Sequence, residues 1–405
     1  MRKYNNEELV CVARRDNNTK RPYLLVNPLQ GKHVPVSPGR TMELFESLAG
    51  VLSAACRGEK LLLIGFAETA TAIGAAVAAC CPGAVWYMHT TRECVEAAGE
   101  YLYFSEVHSH ATEQKLIADR LDEVLGEADR IVFVEDEVTT GNTILNLIGR
   151  LRERYRGKES LSFGILSILN SMTDEALAHF DGMGIPCLYL NRIESRDYTE
   201  ELEKYSYDPK FIHGCDAAGA DDGSSADDGS SAVDGSSADS HPAIRIAEKT
   251  FRGKQDPRLG VRPEAYVRAC RELAGACADG LRQQLGGADL KEKRILVLGT
   301  EEFMYPALIA ARLLEESGCG FVRFHATTRS PILPSGESSY PLSSRFELRS
   351  VYDGGRTTFI YNLSSCDAVL WLHDAGTADP SGVASLAAAL SAAGSRLLFI
   401  GKWGD

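Results

Sequence analysis

The stretch Ile131-Val132-Phe133-Val134-Glu135-Asp136-Glu137-Val138-Thr139-Thr140-Gly141-Asn142-Thr143 runs from an apolar block, through adjacent carboxylates, into a hydroxyl-rich turn. Ile144, Leu147, Ile148 and Leu151 follow at helical spacing. Four consecutive apolar residues before a helix-period segment predict a strand buried on both faces, of the kind found in parallel sheets. Such a strand delivers Glu135 and Asp136 to its C-terminal edge, where open α/β sheets bind ligands. The loop Thr139 to Thr143, with Gly141 at its turn, leads into a helix N-terminus. Free N–H groups, hydroxyls and the positive end of the helix dipole make a cradle for a phosphate monoester. Carboxylates on one side and a phosphate on the other match a ribose 5-phosphate.

The surrounding sequence repeats this rhythm. Tyr23–Val26, Leu61–Ile64, Val85–Met88 and Leu161–Leu169 have strand length and composition, and helices are expected at 41–55, 71–79, 114–125 and 143–155. The class is α/β. After residue 240 the pattern starts again. Leu62-Leu-Ile-Gly65 recurs as Leu296-Val-Leu-Gly299, His89-Thr-Thr-Arg92 as His325-Ala-Thr-Thr-Arg329, and Ile131-Val-Phe-Val-Glu-Asp136 as Val369-Leu-Trp-Leu-His-Asp374. Order, spacing and side chains agree together, which points to a duplicated unit. Between the copies lies a near-repeat of Asp, Gly, Ser and Ala that cannot bury a core and reads as a flexible linker. The expected organisation is a first domain at 1–215, a disordered linker at 216–240 and a second domain at 241–405.

The chain has 405 residues, 44% of them hydrophobic, with 43 basic and 56 acidic side chains and a formal charge of −13. Seven aspartates and no basic residue fall in the linker. An acidic chain offers no basic footprint for duplex nucleic acid or anionic membrane surfaces, so neither is expected as a partner. Eleven cysteines without a CxxC pair, behind an N-terminus without a signal peptide, suggest reduced thiols in a cytoplasmic protein. The nearest approach to a membrane span, Thr69 to Met88, is built of Ala and Gly and contains Pro82.

The string from Ile131 to Thr143 resembles the phosphoribosyl-diphosphate motif of the type I phosphoribosyltransferases, in particular the orotate phosphoribosyltransferase-like branch. Gly65-Phe-Ala67-Glu68-Thr69 lies where that family places its diphosphate loop, and Thr90-Thr-Arg92 where it holds a basic residue against the diphosphate. The segment 99–114, containing His108 and His110, stands at the position of the family's mobile catalytic loop. The whole chain is similar to phosphoribosyltransferases fused to a domain named for a Thr-Arg-Ser-Pro signature, here Thr328-Arg329-Ser330-Pro331, which occur in tellurium-resistance-associated biosynthetic clusters. Gly31-Lys32-His33 and Asp256-Pro-Arg258-Leu-Gly260 fit the same resemblance.

The resemblance implies transfer of ribose 5-phosphate from phosphoribosyl diphosphate to a small-molecule acceptor, a base or amine, in the making of a nucleoside-like metabolite. Glu135 and Asp136 would hold the ribose hydroxyls and, through water, Mg²⁺, a cation that suits substrate phosphates plus one or two carboxylates. Thr139, Thr140, Gly141, Asn142 and Thr143 would take the 5-phosphate. Ala67, Glu68, Thr69 and Arg92 would take the diphosphate. His108 and His110, two apart, could ligate a metal, but no third ligand is near in sequence; closing over the diphosphate fits their position better. Lys32 and His33 read as a turn touching ligand.

In the second copy Glu135 corresponds to His373, and the Thr loop becomes Thr377-Ala-Asp379-Pro380-Ser381, losing a backbone donor and gaining an anion. That half is expected to be a degenerate relative without turnover, in which Asp374→Asn leaves transfer nearly unaffected, docking on the first as an internal pseudo-dimer; a homodimer is the other arrangement open. A non-catalytic sensor of phosphoribosyl diphosphate is the rival function.

Overall fold

The computed structural model describes residues 2–19, 21–104, 114–156, 161–214 and 244–405. His108, His110 and the 216–240 segment lie outside these residues. Along the first half come α1 (Asn6–Leu9), β1 (Cys11–Arg14), β2 (Tyr23–Val26), α2 (Pro38–Ala55), β3 (Leu61–Gly65), α3 (Ala70–Cys80) and β4 (Ala84–His89). They are followed by β5 (Tyr101–Tyr103), β6 (Lys115–Ile117), α4 (Leu121–Glu127), β7 (Arg130–Val138), α5 (Asn142–Arg154), β8 (Ser162–Asn170), α6 (Asp174–Gly182), β9 (Cys187–Arg192), α7 (Thr199–Leu202) and β10 (Ile212–His213). The second half has β11 (Arg245–Phe251), α8 (Pro263–Gln284), β12 (Arg294–Gly299), α9 (Tyr305–Glu316) and β13 (Phe321–Ala326), then β14 (Arg345–Arg349), β15 (Thr357–Tyr361), β16 (Ala368–His373), α10 (Pro380–Ala392) and β17 (Leu397–Trp403).

Two five-stranded parallel sheets result, ordered β4-β3-β7-β8-β9 and β13-β12-β16-β17-β11. The first four positions of each follow the same sequence order, as a duplication requires. The fifth is filled by a C-terminal strand in one half and by the N-terminal β11 in the other. Register fixes the equivalences: Gly65 faces His89 and Gly299 faces Ala326, so the two Thr-Thr-Arg triplets align without a gap. His89 therefore matches Ala326 rather than His325. Ile64 faces Phe133 and Leu298 faces Trp371, which pairs Glu135 with His373 and Asp136 with Asp374 as the sequence suggested.

Local chemistry accounts for three departures from the sequence reading. Residues 114–125 are not one helix, because Lys115 exchanges backbone hydrogen bonds with Thr91 at 2.8 and 3.0 Å and is drawn into β6. Tyr23–Val26 leaves the main sheet to pair antiparallel with Cys11–Arg14. β7 continues past its apolar run because Glu135 and Glu137 still face Ser167 and Leu169 across the β7–β8 pair, so all three acids stand on a strand.

The halves share one hydrophobic core, and the contact between them is reciprocal. Val36, two residues before α2, bridges to Phe324 of β13, while Val261, two residues before α8, bridges to Tyr87 of β4. Both helices start on proline, whose fixed φ suits the first helical position. Helix α2 packs on α9, α8 on α3, and α3 on α9. This explains the Ala/Gly composition of α3: every residue from Ala70 to Ala78 is buried, between its own sheet and the other half. Among the described residues no helix is long and apolar enough to cross a membrane, and the ten described cysteines are free thiols.

Gly31 reports on the closeness of the seam. Its φ is +70°, and a Cβ there would stand 2.3 Å from the Phe324 ring. Gly31→Ala should therefore destabilise the protein, and Phe324→Ala, in a fully buried site, should cost about 3–5 kcal/mol. Gly31→Ala combined with Phe324→Leu should lose less than the sum of the singles in chemical denaturation; strict additivity would show that the ring and the turn are independent.

Candidate functional site

Glu135 and Asp136 end the central strand β7 half-buried, beside the start of α5. Burial, joined by the neighbouring Asp136 charge, pushes the Glu135 carboxyl well above the usual range, and burial raises Asp136 as well. Glu137 pairs with Arg21 at 2.9 Å. A raised carboxylate pair is under-compensated, the condition in which a divalent cation or ribose hydroxyls gain most by binding. Among the described residues no three His, Cys, Asp or Glu side chains converge as a metal site, so a cation here would need ligands from a substrate.

The Thr loop turns at Gly141, φ +73°, where a Cβ would meet the Phe180 ring at 2.5 Å. Gly141 is the N-cap of α5 and supplies no side chain to the free N–H groups of the first turn. Thr140, Asn142 and Thr143 are exposed beside it, and Thr139 is half-buried. The proposed diphosphate loop lies alongside: Ala67 N–H donates to the Thr90 hydroxyl at 2.8 Å, tying the loop to the Thr-Thr-Arg turn. Arg92 has no ion-pair partner among the described residues, and its Nε is buried without an acceptor.

Glu68 departs from the simple picture. Its carboxylate is bonded to Lys32 Nζ at 2.7 Å and accepts from Arg329 N–H of the second half at 3.3 Å, so it is committed at the seam, not offered to a ligand. Lys32 is 1% exposed and also donates to the carbonyls of Glu301 and Thr327 at 2.8 and 3.0 Å. Gly31-Lys32-His33 is thus a buried strut between halves, not a ligand turn. Its sequence signal was a Lys-His pair in an otherwise apolar neighbourhood.

The second half shows what the same frame looks like when filled from within. Position 67, Ala in the first half, is Glu301 in the second, and its carboxylate pairs with Arg329 at 2.6 Å, Arg356 at 3.2 Å and the Ser350 hydroxyl at 2.5 Å. Arg329 is the counterpart of Arg92 and is also bonded to Glu93. Position 141, Gly in the first half, is Asp379 in the second, whose carboxylate caps α10 by accepting from Ser381 N–H at 2.9 Å and from Gly354 N–H at 3.2 Å. The β14–β15 connection, counterpart of the β5–β6 connection, lies down over the site: Tyr352 donates its hydroxyl to Asp374 at 2.7 Å. Arg258 and Lys254 hold the same carboxylate. The cavity left among His89, Arg258, Tyr352 and Asp374 is about 20 Å³, room for a single water. The Thr-Arg-Ser-Pro signature is thereby explained as a structural turn, with Arg329 as its ionic anchor.

Residues 9–193 match the family model described as phosphoribosyl transferase, and residues 255–390 match the TRSP domain found C-terminal to it. The two stretches are thus similar, in that order, to a phosphoribosyl transferase domain and to a TRSP domain. Similar solved structures include the adenine phosphoribosyltransferase of Rhodothermus marinus, 14% identical, with 46% of this chain and 96% of that one covered at a TM-score of 0.31. The orotate phosphoribosyltransferase of Aeropyrum pernix is 16% identical over 48% and 91% of the two chains, TM-score 0.29. The adenine enzyme of Trypanosoma brucei, in complex with AMP, pyrophosphate and ribose 5-phosphate, is 15% identical over 45% and 87%, TM-score 0.28. No curated protein matches the chain.

The two aspartates at equivalent strand ends should behave oppositely. Burial opposes ionisation of Asp374, but Arg258 and Lys254 more than offset it and hold the carboxyl below its usual range. That contribution to stability is present above the ordinary Asp pKa and lost as pH falls through the lowered one. For Glu135 and Asp136, raised above their ordinary values, stability is fully present at acid pH and lost as pH rises through the raised values. Asp374, expected from the sequence to matter little for transfer, thus carries a structural load of its own. Asp374→Asn should cost about 3 kcal/mol at neutral pH by leaving two cations, Arg258 and Lys254, to share the single carboxylate of Asp256. Asp136→Asn should leave the melting temperature unchanged or raise it; a loss equal to that of Asp374→Asn would mean the two carboxylates share one environment.

Proposed function

We propose that the first half transfers ribose 5-phosphate from phosphoribosyl diphosphate to a small base or amine, toward a nucleoside-like metabolite, and that the TRSP half does not turn over the sugar. The observation that carries this reading is the contrast between the twins. Each position where the second half inserts its own anion, Glu301 and Asp379, is Ala67 or Gly141 in the first half, beside an Arg92 with no ionic partner among the described residues. The first half keeps the cradle and omits the plug.

In this reading Thr139 to Thr143 hold the 5-phosphate at the α5 N-terminus, and Arg92 with the backbone of Ala67 to Thr69 holds the diphosphate. Glu135 and Asp136 accept hydrogen bonds from the ribose hydroxyls, and their negative charge faces the anomeric carbon as it turns oxocarbenium-like. Both carboxylates fit Mg²⁺ through water, and the cation would supply charge neutralisation to the departing diphosphate. The segment bearing His108 and His110 is proposed to close over the ligand and keep water, the competing nucleophile, away.

Phosphoribosyl diphosphate with Mg²⁺ should stabilise the protein, by about 2.7 kcal/mol for the binding domain at 100 times the dissociation constant. Incubation with a panel of bases, amines and small acids should then release diphosphate by mass spectrometry, and Asp136→Asn should abolish that release. A melting temperature unmoved by ligand and metal together would refute the assignment, whereas stabilisation without release for any acceptor would support a sensor.

A further inference from the structure

The turn that carries Arg92 is not held by its own half. Glu302, which matches Glu68 in the second half, is buried at 5% exposure and reaches across the seam. Its Oε1 accepts from the Arg92 N–H at 2.7 Å and its Oε2 from the Thr91 hydroxyl at 2.6 Å. The Thr91 oxygen accepts in turn from the Glu93 N–H at 3.0 Å. Three consecutive residues thus hang from one carboxylate. The Glu302 backbone is fixed as well, its carbonyl accepting from the Thr71 hydroxyl at 2.8 Å.

The symmetry-related contact is looser. Glu68 Oε2 accepts from the Arg329 N–H at 3.3 Å, while its Oε1 is committed to Lys32 at 2.7 Å. Arg329 needs little help, because Glu301 and Glu93 already hold its guanidinium. Arg92 has no such partners among the described residues. The tighter cross-seam grip falls on the arginine whose guanidinium is uncommitted. A long, flexible cation binds an anion well only when its base is fixed, since its rotamer entropy is otherwise lost on binding.

We propose that Glu302 of the TRSP domain is a positioning residue for the diphosphate subsite of the first half, fixing the Thr91–Glu93 turn so that the Arg92 guanidinium meets the leaving group. The proposal rests on the function proposed above. It gives the second half a task that does not require a sugar site of its own. Glu302 touches no substrate; it acts through Arg92. Its charge is partly balanced by Arg329 Nη2 at 3.9 Å, so it anchors the turn without standing as an isolated buried anion.

The test is calorimetric binding of magnesium diphosphate and, separately, of ribose 5-phosphate to the full chain and its variants. Glu302→Ala should weaken diphosphate binding about tenfold, the scale of one lost charge-assisted hydrogen bond, and leave ribose 5-phosphate within about twofold. Glu302→Gln keeps an acceptor for the Arg92 N–H and should retain most of the affinity. Thr91→Val removes one of the two donors and should give a smaller loss with the same split, so the question is decided even if Glu302→Ala does not fold. Unchanged diphosphate affinity in Glu302→Ala or Thr91→Val, or parallel loss of both ligands, would overturn the positioning role and leave the proposed function standing. A wild-type protein that binds neither ligand would overturn the proposed function and this role with it.

Discussion

An ammonium group removed from water is tolerable only when each of its protons has an acceptor, and Lys32 meets that condition only where the two halves join. Its three acceptors are a carboxylate of its own half and two carbonyls of the other. Glu68 is committed at the seam because Lys32 receives it, and Glu301 is held in place partly through the carbonyl that Lys32 takes. The loops that follow β3 and β12 are therefore both set by one buried cation, and separating the halves would strand it. The apolar seam of α2, α3, α8 and α9 supplies most of the adhesion by area; Lys32 supplies the register.

Around that seam the same frame has been driven to two opposite electrostatic states. In the second half positive charge is met by fixed carboxylates: Arg329 and Arg356 by its own Glu301 and by Glu93 of the first half, Arg258 by Asp256 and Asp374, the α10 N-terminus by Asp379. In the first half two crowded carboxylates stand at one side, and at the other stand a guanidinium without an ion-pair partner among the described residues and a helix end without a side-chain cap. An uncancelled arrangement costs stability and is kept where a ligand completes it. Ala67 and Gly141 matter by what they lack.

Much of this was legible in the sequence for a definite reason. Parallel strands buried on both faces are continuous apolar runs, so Leu61–Ile64, Ile131–Val134 and their copies could be located, and with them the ends where Glu135 and Asp136 stand. The loss of the second cradle could be read from Asp379 and Pro380, because capping chemistry is local. What escaped was long-range. Nothing near Lys32 in the chain announces Glu68 or Thr327, and nothing near Glu301 announces Arg329, Ser350 or Arg356 as the partners of its carboxylate. The break at 114–125 was missed because the pull of Thr91 on Lys115 comes from outside the segment, and the His89 equivalence slipped by one because identical letters outweighed strand pairing.

Joining the two halves in one polypeptide changes how the seam responds to concentration. Two separate subunits related by a twofold axis come apart on dilution, and any residue lent across the axis is lost with them. A covalently tethered neighbour is present at an effective concentration of order millimolar for a short flexible tether, whatever the abundance of the protein. The loan of Glu302 to the Arg92 turn therefore does not depend on expression level. The second copy, bound to its neighbour in cis, stands beside it at a fixed ratio of one to one.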